Sequence, residues 1–181
     1  MSRVHKKRVA LIGTVVSLLF AVCLMAQVGG TKDAVSEEAA LQTLALASLW
    51  KMESGRIAAA RASSKAVRDF AAQMINRYRS MAEEIASLAG KKSISLSGRL
   101  SQTQENTLAY MAAQRGAEID REYVSMTVDD LAAEIKMSRS AVTTAKDPAI
   151  RTFLAAAAQK LEEDRRRADT ILDALPQPIL K

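Results

Sequence analysis

Apolar side chains recur every three or four positions along most of this chain, and the recurrence breaks in few places. Over 70–90, FAAQMINRYRSMAEEIASLAG, the residues Phe70, Met74, Met81, Ile85 and Leu88 share one helical face. Tyr78 lies inside that stripe and Arg77 stands next to it. A first helix is predicted over 36–62, with Ser36 as N-cap and Glu37 and Glu38 in the first turn, where negative charge suits the helix dipole. Leu46, Leu49, Trp50, Glu53, Ile57 and Ala60 share its expected core face. Leu41, Ala45, Ser48, Met52, Gly55 and Ala59 form a neighbouring small-residue face that favours close helix approach.

The second helix is predicted over 65–89, with Ser64 as its cap and Gly90 as its stop. After the loop 93–99 a shorter helix fits 101–114 and ends near Gly116. A long helix over 117–144 carries the stripe Ile119, Tyr123, Met126, Asp130, Ala133 and Met137. The turn AKDP follows, with Asp147 as N-cap and Pro148 at the first helical position. The last helix, 148–174, carries Ile150, Leu154, Ala157, Leu161, Asp164, Ala168, Ile171 and Leu175. Short connections favour antiparallel neighbours, so the expected architecture is an all-α, up-and-down four-helix bundle with one extra short helix.

Each long helix thus offers one polar side chain at a seam position: Glu53, Tyr78, Asp130 and Asp164. A carboxylate in a core is costly unless it is paired, hydrogen-bonded or protonated. Three arrangements meet that requirement. The acids sit at the seam edge in water, because a 3.6-residue turn drifts against a seven-residue repeat. Or they form a buried layer in which Tyr78 donates to a carboxylate and Arg77 or Lys51 supplies counter-charge. Or carboxylates and phenol hold a cation, which would be a hard one, a divalent ion or iron.

Composition supports the helical reading. Hydrophobic residues make up 49% of the 181 positions but aromatics only 4%, and Gly (7) and Pro (3) are scarce. The net charge of +6 is partly a matter of the first 30 residues, which hold Arg3, Lys6, Lys7 and Arg8 and no acid. Without these four, 22 of the 26 basic residues remain against 20 acids, a net of +2. The triple Arg in EEDRRRAD (162–169) is flanked by acids, so no basic stripe marks a nucleic-acid partner. That near balance also weakens any attraction to an anionic lipid surface.

The segment 1–30 reads as an export signal: a basic start, MSRVHKKR, then an unbroken apolar run over 9–26. Two fates compete. Cleavage after Ala26 or Gly30 releases the remainder into the periplasm; an uncleaved run, long enough to span, anchors it in the inner membrane and makes residues 9–26 the membrane contact. Residues 31–35 read as linker, 36–175 as the bundle and 176–181 as a tail. Cys23, the single cysteine, lies in the apolar run behind Val22, where a lipidation site calls for a small residue. The remainder therefore holds no disulfide, and its stability comes from packing.

Familiar catalytic chemistry finds no residues here. His5 is the single histidine and lies in the basic start. The bundle therefore has no imidazole base or ligand, which disfavours zinc and copper, and no Ser-His-Asp or Cys-His arrangement. No Gly-rich phosphate loop follows a strand pattern.

The export signal followed by ESGRIAAARASSKAVRDFAAQMINRY, the later GAEIDREYVSMTVDD and the final FLAAAAQKLEED resembles the DUF4142 family of exported bacterial proteins. The resemblance covers about 36–175 and implies a ferritin-like helical bundle. The family typically reads Phe-Ala-x-x-Met-Val-x-Asp-His in its second helix; Phe70, Ala71, Met74 and Ile75 match, but Arg77 and Tyr78 stand in the Asp and His places. Tyr-x-x-Met-Val-x-x-His is matched by Tyr123 and Met126, with Asp130 in the His place, and Leu-x-x-His by Leu161, with Asp164 in the His place. Three of the four polar seam positions, Tyr78, Asp130 and Asp164, thus coincide with the family's histidines, and each histidine is replaced. The expected function is that of an exported, non-enzymatic bundle with a structural or interaction role and no cofactor. Its partner would be an envelope protein or a second copy of the chain. The alternative is metal or ligand binding by Glu53, Tyr78, Asp130 and Asp164, with Arg77 as counter-charge.

Overall fold

The computed structural model describes residues 35–176. The expected export segment, Cys23, most of the linker and all of the tail after Pro176 lie outside the described residues. Five helices follow one another: α1 (Glu37–Arg61), α2 (Lys65–Lys91), α3 (Gln102–Ala113), α4 (Ala117–Thr144) and α5 (Pro148–Ala174). The boundaries follow local chemistry. Ser36 Oγ accepts from Ala39 N–H at 3.1 Å at the head of α1. Ser101 and Gln104 form a reciprocal capping box on α3. Asp147 accepts from Ala149 and Ile150, with Pro148 opening α5.

Two helix ends depart from expectation. The Ser64 side chain makes no capping bond; its backbone N–H instead donates to Asp120 of α4 at 3.0 Å. An acid from another helix thus caps α2, and Asp120 is almost fully buried in doing so. Gly90 does not stop α2, which continues to Lys91; the left-handed residue is Ser93, with φ 55°.

Contacts at the ends fix the direction of each helix. At one end Gly116 N–H donates to Arg61 O at 3.3 Å and Arg121 donates to Leu175 O at 2.9 Å. This joins the close of α1 and α5 to the start of α4. At the other end Thr144 donates to Val35 O at 2.8 Å, and Lys92 pairs with Asp147. So α1 and α5 run one way, and α2 and α4 the other. The up-and-down expectation with short links throughout needs correcting. The links 62–64 and 145–147 are short and join antiparallel neighbours. The segment 92–116 must instead travel the length of the bundle, because α2 and α4 are parallel. It does so through α3, which packs on α1 and touches α4.

The core is a continuous layer of Leu, Ile, Met, Phe and Ala from all five helices. The α1–α2 hairpin is close-packed at Gly55: a Cβ there would lie 3.0 Å from the Ile75 side chain and 3.3 Å from Ala71 O. Phe70 and Tyr123 meet across the middle with ring centroids 6.4 Å apart and tilted by 60°.

The α2 and α5 stripes hold largely as expected, with Leu88 and Ile171 only half-buried. Two faces turn. α1 buries Leu41, Leu44, Ser48, Lys51, Gly55 and Ala58 in place of Leu46, Leu49, Glu53, Ile57 and Ala60. Alanine and leucine lie nearly all round this helix, so period alone could not choose its face. α4 buries Ile119 and Tyr123 and then Thr127, Leu131, Glu134 and Ser138. After Tyr123 the buried face takes two steps of four, to Thr127 and Leu131, before the step of three to Glu134, where the expected stripe took its step of three at once, to Met126.

Candidate functional site

The turned α4 face decides which acids enter the interior. Glu134 is buried and Asp130, one turn earlier, sits at the edge with its side chain about a third exposed (34%). Asp130 Oδ2 is gripped twice from α1, by Lys51 Nζ at 2.7 Å and by Trp50 Nε1 at 2.9 Å. Lys51 itself is fully buried, its carbon stem among apolar neighbours and its ammonium delivered to the carboxylate.

From α2, the buried Tyr78 donates its hydroxyl to Glu134 Oε2 at 2.5 Å. Burial is the main reason that Glu134 is pushed up to about 7; Asp130 adds to this, while Lys51 and the Tyr78 bond oppose it. Burial likewise drives the Tyr78 phenol well above its ordinary range, with Glu134, Asp164 and Asp130 pushing in the same direction. Tyr78 therefore stays a neutral donor.

On the other flank Asp164 of α5 is buried, with Arg77 Nε 2.9 Å from its Oδ2. Arg77 Nη2 and Gln73 Nε2 each donate to Oδ1 at 3.2 Å. Burial raises the Asp164 pKa, and Arg77 opposes the rise most strongly. Arg77 and Tyr78, adjacent in sequence, thus serve two different acids on two different helices.

Of the expected site residues, Tyr78, Asp130 and Asp164 do form a polar layer, with Arg77 as counter-charge to Asp164. Glu53 does not belong to it. Its side chain is 39% exposed and pairs with Arg56 on the surface, because the α1 core face is turned away from it. Lys51 takes the interior place in α1. Glu134 and Asp120 were missed by the stripe reading. Steps of four from Ile119 through Tyr123 and Thr127 lead to Leu131, and a step of three from there leads to Glu134.

The layer suits neutral pairing better than a metal. Among the described residues no three His, Cys, Asp or Glu side chains gather as a ligand set. Asp130 already holds an ammonium at 2.7 Å, and Asp164 a guanidinium. A hard divalent ion needs six or more oxygens, and it would meet these two fixed cations. The residues present therefore do not fit a resident metal of the kind a histidine-bearing bundle would hold. What the layer can do is hold a proton near neutrality at Glu134.

The chain belongs to the DUF4142 family: the model of this domain of unknown function matches residues 24–171. No curated protein and no solved structure matches the chain.

Proposed function

We propose that this protein is an exported, non-enzymatic, ferritin-like helical bundle of the bacterial envelope, with a structural or interaction role. The observation that carries the reading is internal hydrogen bonding. Each buried acid has its answer within the chain: Tyr78 for Glu134, Arg77 and Gln73 for Asp164, and Ser63 and Ser64 for Asp120. Edge Asp130 is matched by Lys51 and Trp50. Buried polar groups satisfied in this way specify one packing of the helices. The single long crossover supports the ferritin-like description, since that class has one such connection. Export is supported by the basic start and apolar run of residues 1–26. Among the described residues no helix is long and apolar enough to cross a membrane, so an anchored form would depend on 9–26.

The test is a fusion of alkaline phosphatase after Lys181, with intact-mass analysis of the untagged chain. Phosphatase activity is expected, because that enzyme matures only outside the cytoplasm. A mass beginning at Gln27 or Thr31 denotes cleavage, and an intact mass in the membrane fraction denotes anchorage. An inactive fusion with the chain in the cytosol overturns the reading.

A further inference from the structure

An open cavity of about 520 Å³ is lined by residues of α1, α3 and α4. Its size falls in the range of small-ligand sites, roughly 300–1,000 Å³. Leu46, Trp50 and Met126 give it apolar walls, and Thr103 and Thr107 of α3 flank it. Asp130 and Glu134 line it too, one turn apart on α4.

Both acids keep an oxygen unengaged. Tyr78 takes Oε2 of Glu134; Lys51 and Trp50 both take Oδ2 of Asp130. Among the described residues no donor reaches Glu134 Oε1 or Asp130 Oδ1, although Glu134 is only 7% exposed. The charges do not balance either. Two carboxylates face one ammonium, that of Lys51. From α2 the facing group is the neutral Tyr78. From α5 it is Asp164, already matched by Arg77. The α3 residues at the cavity are Thr103, Gln104 and Thr107, all uncharged. The site is one positive charge short.

We propose that this cavity binds an alkylammonium group, seated against Glu134 Oε1 and Asp130 Oδ1 with its carbon chain along Trp50, Leu46 and Met126. A divalent ion would have to complete its shell with water and would place two positive charges beside the Lys51 ammonium, 2.7 Å from Asp130. The two free oxygens suffice for an ammonium, whose three donors form charge-assisted bonds while its chain buries apolar area. A proton on Glu134 fills the same deficit, so proton and ligand compete. Burial holds that proton up to about 7. The assignment goes beyond the structural role proposed above, and its failure would leave that role standing.

Trp50 is the only tryptophan of the chain and lines the cavity, so its emission reports the site alone. The full chain in dodecyl maltoside is titrated with n-butylamine, which stays cationic below about pH 10. A saturable change in emission is expected, with affinity about tenfold tighter at pH 8.5 than at pH 6.0, where a group titrating at about 7 is mostly protonated. Neutral 1-butanol and potassium chloride at equal ionic strength are expected to leave the emission unchanged. Glu134→Gln should weaken butylamine at least tenfold and abolish the pH effect. Ala133→Phe fills the cavity wall without altering a charge and should abolish binding, with helical circular dichroism and cooperative melting retained. Nα-acetyllysinamide separates two sources of the same group: binding tighter than butylamine assigns the site to a lysyl side chain, weaker binding to a free amine. Equal responses to butylamine and butanol overturn the proposal. So does a pH-independent affinity, or binding that survives both substitutions.

Discussion

Tyr78 and Glu134 meet through the middle of the bundle, the phenol of α2 donating to the carboxylate of α4 over 2.5 Å. The two residues stand 56 positions apart in the chain. They join helices from the two hairpins, so the bond ties the halves of the bundle to each other through two buried side chains. Tyr78→Phe keeps the ring and removes the donor. A loss of about 1–3 kcal/mol is expected at pH 8, the cost of an unsatisfied buried group. The loss should be smaller at pH 5, where Glu134 is neutral. Urea denaturation at the two pH values measures both. An equal loss at the two would show that the charge on Glu134 is not what Tyr78 answers.

Glu134 also sets a slope of stability with pH. Unfolded, it releases its proton near 4.5; folded, near 7. Between those values the folded state binds more protons than the unfolded one, so stability falls as pH rises from about 4.5 to about 7 and then levels. The amplitude is on the order of 3 kcal/mol. Glu134→Gln should flatten this part of the profile and make the protein relatively more stable at pH 8. Parallel profiles for the two proteins would remove Glu134 as the source.

Lys51 and Asp130 form an unequal pair, one fully buried and the other a third exposed. Asp130→Asn leaves an ammonium buried opposite a neutral amide and should cost about 3 kcal/mol. Lys51→Met preserves the stem and leaves Asp130 with water and Trp50, so its cost should be clearly smaller. Paired denaturant melts decide the order. Equal costs would mean that the Lys51 ammonium finds another partner or water when Asp130 is gone.

Gly55 is a site where a better helix former should not help. Alanine normally stabilises a helix interior by about 1 kcal/mol over glycine. Here the added Cβ meets Ile75 at 3.0 Å and the immobile Ala71 carbonyl at 3.3 Å. Gly55→Ala is expected to lower stability by about 1 kcal/mol through overpacking. Ile75→Val, made on top of it, should recover part of that loss. A rise in melting temperature for Gly55→Ala alone would contradict the close approach of α1 and α2.

How much of this was legible in the sequence depended on how well each helix separates its faces. α2 and α5 alternate apolar and charged positions sharply, and Tyr78 and Asp164 were placed inside correctly. Arg77 reads from the sequence as a counter-charge for Asp130 or Asp164, and the structure pairs it with Asp164. α1 is apolar almost all round, so Glu53 was drawn inward when Lys51 belonged there. A buried lysine also runs against the general rule that lysines stay exposed. In α4 a difference of one residue after Tyr123 moved Glu134 out of view and Asp130 too far in. The crossover was hidden for another reason. The residues 93–99 look like an ordinary loop, and contacts such as those of Gly116 with Arg61 and of Asp120 with Ser64 show where the chain has travelled.

The crossover also bears on the order of assembly. The α1–α2 and α4–α5 hairpins close through links of three residues and can form on near-neighbour contacts. The bonds between them link positions 56, 79 and 87 apart, and 92–116 must be laid along the bundle before those partners meet. Contacts of such long range are slow to form. Docking of the two hairpins is therefore the step expected to pace folding. On that expectation the polar layer brakes unfolding, and Tyr78→Phe should speed unfolding more than it slows refolding in stopped-flow denaturant jumps.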